Sequence, residues 1–200
     1  MDPTRKALMK RITANGRGYA FTRKDFQGLA PTGSVGKTLS RLAEAGLIRR
    51  LGRGIFDYPR FTPSLGGELS PDLDQVAKAI ARKFRWTIIP DGAWAANRIG
   101  LSQQVPAKIV YLSDGPNRSI RAGASAIRFK HARPKELHAG CPSSGLVIQA
   151  LRYVGKEHVD GSAITTLRKR LSPQEKKRLL KDARYGAAWI LQAAQRIAGA

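Results

Sequence analysis

The chain is poor in cysteine, acid and long apolar runs, and each shortage excludes something. A lone Cys141 allows no internal disulfide. It fits a reducing compartment, with a small buried or half-buried side chain as its expected role. Apolar runs such as Gly145-Leu146-Val147-Ile148 fall far short of the roughly 20 residues that cross a bilayer. The opening Met1-Asp2-Pro3-Thr4-Arg5-Lys6 has no apolar core of a signal peptide. Neither a membrane partner nor export is expected, and the expected location is the cytoplasm. The three histidines, His131, His138 and His158, form no His-x-x-x-His pair, and no cysteine pair supplements them. No metal and no cofactor is therefore expected, and His138 near Cys141 is too little to suggest a nucleophile.

Acid is the most telling shortage. Against 36 Lys and Arg stand 14 Asp and Glu, for a net charge of +22 in 200 residues. Such an excess repels itself unless a polyanion or a solvated surface absorbs it, and nucleic acid is the leading partner. Residues 1–68 carry 13 basic and 5 acidic side chains (+8), residues 69–158 carry 14 and 6 (+8), and residues 159–200 carry 9 and 3 (+6). The charge is not confined to a tail. A polyanion that absorbs it should meet more than one part of the fold. The hydrophobic share, 42%, suffices for one moderate core or two small ones.

Two nucleotide motifs are present only in part. Gly36-Lys37-Thr38 has the end of a phosphate-binding loop, but the position of its first glycine is held by Pro31, which has no N–H to offer a phosphate. Asp72-x-Asp74 has the spacing of a metal-binding carboxylate pair. The only Gly-Ser ahead of it near the N-terminus, Gly33-Ser34, is too far upstream to serve a nucleotidyltransferase. Both aspartates stand where a helix begins, and a favourable dipole interaction accounts for them. The chain is read as a non-enzyme with no catalytic residues.

What is there is a run of short elements. Asp2-Pro3 opens a helix bearing Leu8, Met9 and Ile12, stopped at Asn15-Gly16. Thr22-Arg23-Lys24-Asp25 has the form of a capping box, and Phe26 and Leu29 anchor a short second helix. Ser34 is read as the cap of a third, with Val35, Leu39, Leu42 and Ala43 inward. Ser34, Lys37, Thr38 and Arg41 are expected on its exposed stripe. Leu47 to Leu51 and Ile55 to Tyr58 then flank Gly52-Arg53-Gly54 as a hairpin. Three helices and a basic hairpin are the order of a winged helix-turn-helix, whose third helix enters the major groove. The expected DNA-binding residues are Arg23, Lys24, Ser34, Lys37, Thr38, Arg41 and the wing arginines Arg49, Arg50 and Arg53.

The fold class expected is α+β. A winged helix at 1–60 and a Pro/Gly/Ser-rich linker at 61–71 precede a C-terminal α+β domain at 72–200. In the latter, helices are expected from Ser70-Pro71, over 92–99 and over 146–154. Trp86 to Ile89 and Lys108 to Ser113 read as strands, followed by Ser119-Ile120-Arg121 and Ala126 to Lys130. The last alternates, with Ile127 and Phe129 inward and Arg128 and Lys130 outward as candidate secondary phosphate contacts. Ser172-Pro173-Gln174-Glu175 is a capping box opening a long final helix over 173–198, with Lys177, Lys181 and Arg184 on one face.

The run from Leu39 to Phe56, with Arg41, Arg49, Arg50 and Arg53, resembles the end of the winged helix in AbiEi-type antitoxins, regulators of type IV toxin-antitoxin pairs. Gly100 to Lys108, Tyr111 to Pro116 and Ile127 to Ala132 are similar to a related prokaryotic group joined to that superfamily, so the likeness covers about residues 5 to 155. The resemblance implies a bacterial autorepressor that binds operator inverted repeats in double-stranded DNA. It also implies a second domain that counters a nucleotidyltransferase-like toxin without a stable direct complex, as in abortive-infection phage defence. The alternative reading is an RNA- or protein-binding inhibitor acting by contact through the basic C-terminal domain.

Overall fold

A computed structural model describes residues 2–63, 66–104, 106, 108–137 and 142–199. The readings placed on His138 and Cys141 lie outside the described residues. The architecture is α+β, with helices throughout and three small sheets among the described residues. Two compact units divide the chain: Met1–Trp86 with Ser119–Ile127, and Thr87–Arg118 with Arg128–Ala200.

In the first unit, α1 (Pro3–Ala14) starts where the Asp2 carboxylate accepts the Thr4 N–H at 2.9 Å, with Pro3 at the first helical position. Strand β1 (Ala20–Thr22), helix α2 (Thr32–Glu44) and strands β2 (Arg49–Gly52) and β3 (Ile55–Asp57) follow. The strands pair antiparallel in the order β1-β3-β2, which sets Phe21 opposite Phe56. Phe21 is wholly buried, with the Phe26 ring edge-on at 5.4 Å and the Phe56 ring stacked at 6.2 Å. Around this aromatic centre pack Leu8, Ile12, Val35, Leu39, Leu42 and Ile48. Each such side chain stabilises the fold by about 1.5–3 kcal/mol when fully buried. The α2 face presented to this core is the one its apolar spacing predicts.

Three local expectations are corrected. The second helix is a single 3-10 turn, Arg23–Phe26, because Gly28 turns left-handed at φ +83° and the chain is extended at Gln27. Phe26 is buried there, but Leu29 is 39% exposed and anchors nothing. Ser34 does not cap α2: the helix starts at Thr32 behind Pro31, whose carbonyl accepts the Ser34 N–H at 2.9 Å.

The segment read as a linker contains a two-stranded ribbon, β4 (Phe61–Thr62) with β5 (Gly67–Glu68), and leads to α3 (Leu73–Phe84). That helix belongs to the first unit rather than to a domain starting at residue 72. Arg82 is the physical reason, since its guanidinium donates to Asp25 at 2.5 Å and to the Ala20 carbonyl at 2.8 Å, and stands over the Tyr19 ring. Burial, followed by the charge of Asp25, pushes the Tyr19 phenol above its ordinary range.

The remaining elements are β6 (Ile88–Pro90), α4 (Gly92–Arg98), β7 (Ile109–Ser113), β8 (Arg118–Ala122), β9 (Ser125–His131), α5 (Pro134–Leu137), α6 (Pro142–Val154), α7 (Gly161–Arg170), α8 (Pro173–Ala183) and α9 (Ala188–Ala198). The sheet order is β6-β7-β9-β8. Ile127 and Phe129 are fully buried while Arg128 and Lys130 face out, as alternation requires. The helices enclose a second core that includes Val147, Leu151, Leu167, Leu179, Ile190 and Ile197. The last helical stretch is interrupted between α8 and α9. At Gly186 a Cβ would stand 3.3 Å from the Ala183 carbonyl, and Ala187, expected inside, is exposed in the turn. No helix among the described residues is long and apolar enough to cross a membrane.

Candidate nucleic-acid interface

Helix α2 sets the interface by its own geometry. Residues advance about 100° each around a helix, so Gly33, Ser34, Lys37, Arg41 and Glu44 share one arc, and all five are exposed. Thr38 lies about 60° beyond Arg41 on the same projection. There it turns toward Leu42 and is only 6% exposed, which corrects its assignment to the outer stripe. Gly36-Lys37-Thr38 sits inside the helix, where no loop exists to wrap a phosphate.

On one flank, Arg41 shares a groove of about 190 Å³ with Asp2, Arg5, Thr38, Leu42 and Ala45. Arg5, from α1, thus joins the α2 cations although 36 residues separate it from Arg41 in sequence. Only the packing of α1 on α2 brings the pair together. On the other flank, Arg50 donates to the Ser40 hydroxyl at 2.8 Å while its guanidinium lies 4.9 Å from the Phe56 ring centre. The wing arginine is thereby held beside the helix.

The wing is short. Strands β2 and β3 meet at Arg53-Gly54, where Gly54 adopts φ +71°, a conformation that favours glycine. Arg53 is exposed at the tip. Arg49 is not available. Its guanidinium grips Asp57 at 2.6 and 3.0 Å, reaches Glu68 at 3.3 Å and donates to the Leu69 carbonyl at 2.9 Å. The hydrogen bond to Asp57 raises its pKa further, so this arginine is a structural ion pair rather than a free wing cation.

Lys37, Arg41 and Arg53 make no ion pair or hydrogen bond through their side chains among the described residues. Arg23 and Lys24 are exposed on the 3-10 turn. Arg128 is exposed, and Lys130 is within 3.5 Å of Asp91. Between α2 and the wing, a second groove includes Glu44 and Glu68 as well as Arg49 and Arg50. Its two carboxylates balance its two arginines, whereas the unpaired cations Lys37, Arg41 and Arg53 lie outside it.

The Asp72-x-Asp74 pair is engaged elsewhere. Asp72 caps α3 by accepting the Asp74 and Gln75 N–H groups at 3.0 and 3.2 Å, and pairs with Arg60 at 2.7 Å. Asp74 is 5% exposed and pairs with Lys78 at 2.8 Å.

A family model described as a family of unknown function, DUF6088, matches residues 7–179. The chain belongs to the DUF6088 family. The match spans both units. No curated protein matches the chain. Among solved structures, the RV2827C protein from Mycobacterium tuberculosis is similar, with 15% identity and a TM-score of 0.41 over 98% of this chain and 76% of that one.

Proposed function

We propose that this DUF6088 chain is a cytoplasmic DNA-binding autorepressor and the antitoxin of an AbiE-like type IV pair. It would bind operator repeats through α2 and the wing. The observation that carries the reading is the exposed, unpaired set Lys37, Arg41 and Arg53, with Arg50 tied to Ser40 between them. In this arrangement α2 reads base edges in the major groove and Arg53 contacts phosphates. The resemblance of Leu39 to Phe56 to the AbiEi winged helix supports the regulatory role. The antitoxin role and the toxin as a functional partner rest on that resemblance.

The test is a binding titration with duplex from the chain's own promoter and with a scrambled duplex, at about 150 mM salt. A specific repressor prefers its own site by at least about 10³-fold. Equal affinity for both sequences would sink the reading.

A second reading, an RNA-binding inhibitor acting through the other unit, is favoured by one feature. Lys177, Lys181 and Arg184 line an exposed side of α8, and Tyr185 beside them is 86% exposed. Cations next to an open aromatic ring suit single-stranded nucleic acid. Full-length chain binding single-stranded RNA more tightly than promoter duplex, with the preference lost on Tyr185→Ala, would favour it.

A further inference from the structure

Strand β2 lies at the edge of its sheet, where backbone groups are left unpaired. Register slips between Arg50 and Gly52, so Leu51 bulges from the ladder with β3. Its carbonyl is nevertheless satisfied: the Gly123 N–H donates to it at 2.8 Å. Gly123 is left-handed, at φ +63°. One residue along, a Cβ on Gly52 would come 3.0 Å from the Arg121 carbonyl oxygen, so two backbones meet there at a distance that only glycine admits without a shift. The segment Ser119–Ile127, the tip of the β8–β9 hairpin, is thus part of the first unit and lies along the outer edge of the wing. Ala122 is fully buried, whereas Arg121 is exposed and makes no side-chain ion pair or hydrogen bond among the described residues.

From this geometry we infer that the 119–127 tip is a second arm of the duplex-binding surface. It braces the wing through the Gly123–Leu51 hydrogen bond and adds Arg121 as a phosphate contact flanking Arg53. The inference rests on the duplex-binding reading and deepens it. A wing of seven strand residues has little stiffness of its own, and a neighbour along its edge fixes where Arg53 points. Arg121, beside Gly52, extends the same cationic strip. A run of phosphates is the ligand that several adjacent unpaired cations fit.

The experiment uses the full chain and labelled duplexes of promoter and random sequence, titrated from about 50 to 300 mM salt. Arg121→Ala should weaken both duplexes alike, by about 3–10-fold near 150 mM, and reduce the slope of log K against log salt by about one. Arg53→Ala should do the same, and Arg152→Ala, an exposed cation of the other unit, should do neither. If Arg53→Ala weakens binding and Arg121→Ala does not, the second arm is refuted while the duplex reading stands. Failure of the unmodified chain to bind duplex overturns both. Amide exchange gives a readout free of DNA: the Gly123 N–H should be protected, and Gly52→Ala should speed its exchange. An unprotected Gly123 amide in the unmodified chain would refute the brace.

Discussion

Arg49 and Asp57 face each other across β2 and β3 as a cross-strand pair, with the guanidinium forked onto the carboxylate at 2.6 and 3.0 Å. Asp57 is 1% exposed, so this contact is the buried end of a chain of charge that continues to Glu68 at the surface. The wing therefore contains one arginine that holds it together and two, Arg50 and Arg53, that face outward.

Removing Arg49 should damage the fold before it damages binding. Arg49→Ala leaves the Asp57 carboxylate buried without its partner and should cost about 2–4 kcal/mol in urea denaturation. Replacing both, Arg49→Met with Asp57→Leu, should recover much of that loss, because no charge is then stranded. A double variant less stable than the single one would contradict this assignment.

Arg41 and Arg53 should fail differently. Arg41→Ala should cost about 1–3 kcal/mol on the cognate duplex and relax sequence preference, as loss of a base contact does. Arg53→Ala should weaken all duplexes equally and flatten the salt slope by about one unit. Titrations with matched and mismatched duplexes distinguish them, and equal sequence-blind losses would remove the division of labour.

Thr38 and Lys37 offer a sharper contrast, since they are neighbours in sequence on opposite sides of the surface boundary. Thr38→Val keeps the buried shape and should leave duplex affinity within about twofold, a change under about 0.5 kcal/mol. Lys37→Ala should reduce affinity and the salt slope together. Loss of binding on Thr38→Val with thermal stability unchanged would restore Thr38 to the interface.

The Ser172 box makes a pH prediction. Glu175 accepts the Ser172 N–H at 2.9 Å and its hydroxyl at 2.8 Å, and these bonds hold its carboxyl below the usual glutamate range. A depressed folded value adds stability that is complete above the unfolded value, about 4.3, and is lost as pH falls through the folded one. Ser172→Ala should therefore cost about 1 kcal/mol at pH 7 and less at pH 3, measured by denaturant unfolding at both. A cost that grows on acidification would contradict the linkage.

Much of the fold is legible in sequence where local chemistry decides it. The apolar spacing of Val35, Leu39 and Leu42 gives the inner face of α2, alternation gives Ile127 and Phe129, and the Ser172 box starts α8. Non-local pairing is less readable. Strand β1, three residues long, exists because Phe21 packs opposite Phe56, and α3 joins the first unit because Arg82 reaches Asp25. Helix α7 carried one signal that could have been read, Asp160, whose carboxylate caps it by accepting the Ala163 N–H at 2.8 Å. In the site, spacing placed Lys37 and Arg41 outside but could not separate Arg49 from Arg50. That distinction depends on Asp57 standing opposite one of them and Ser40 near the other.

The central claim is that cations of α2 and the wing meet a duplex together. Its most direct test is fluorescence anisotropy of a labelled promoter duplex with the full chain and with Lys37→Ala/Arg41→Ala/Arg53→Ala, titrated over about 50 to 300 mM salt. The account predicts that the triple variant, equally stable to heat, loses about two units of salt slope, for Lys37 and Arg53, and most of its affinity and sequence preference. A folded triple variant that binds with the original slope and affinity would contradict it.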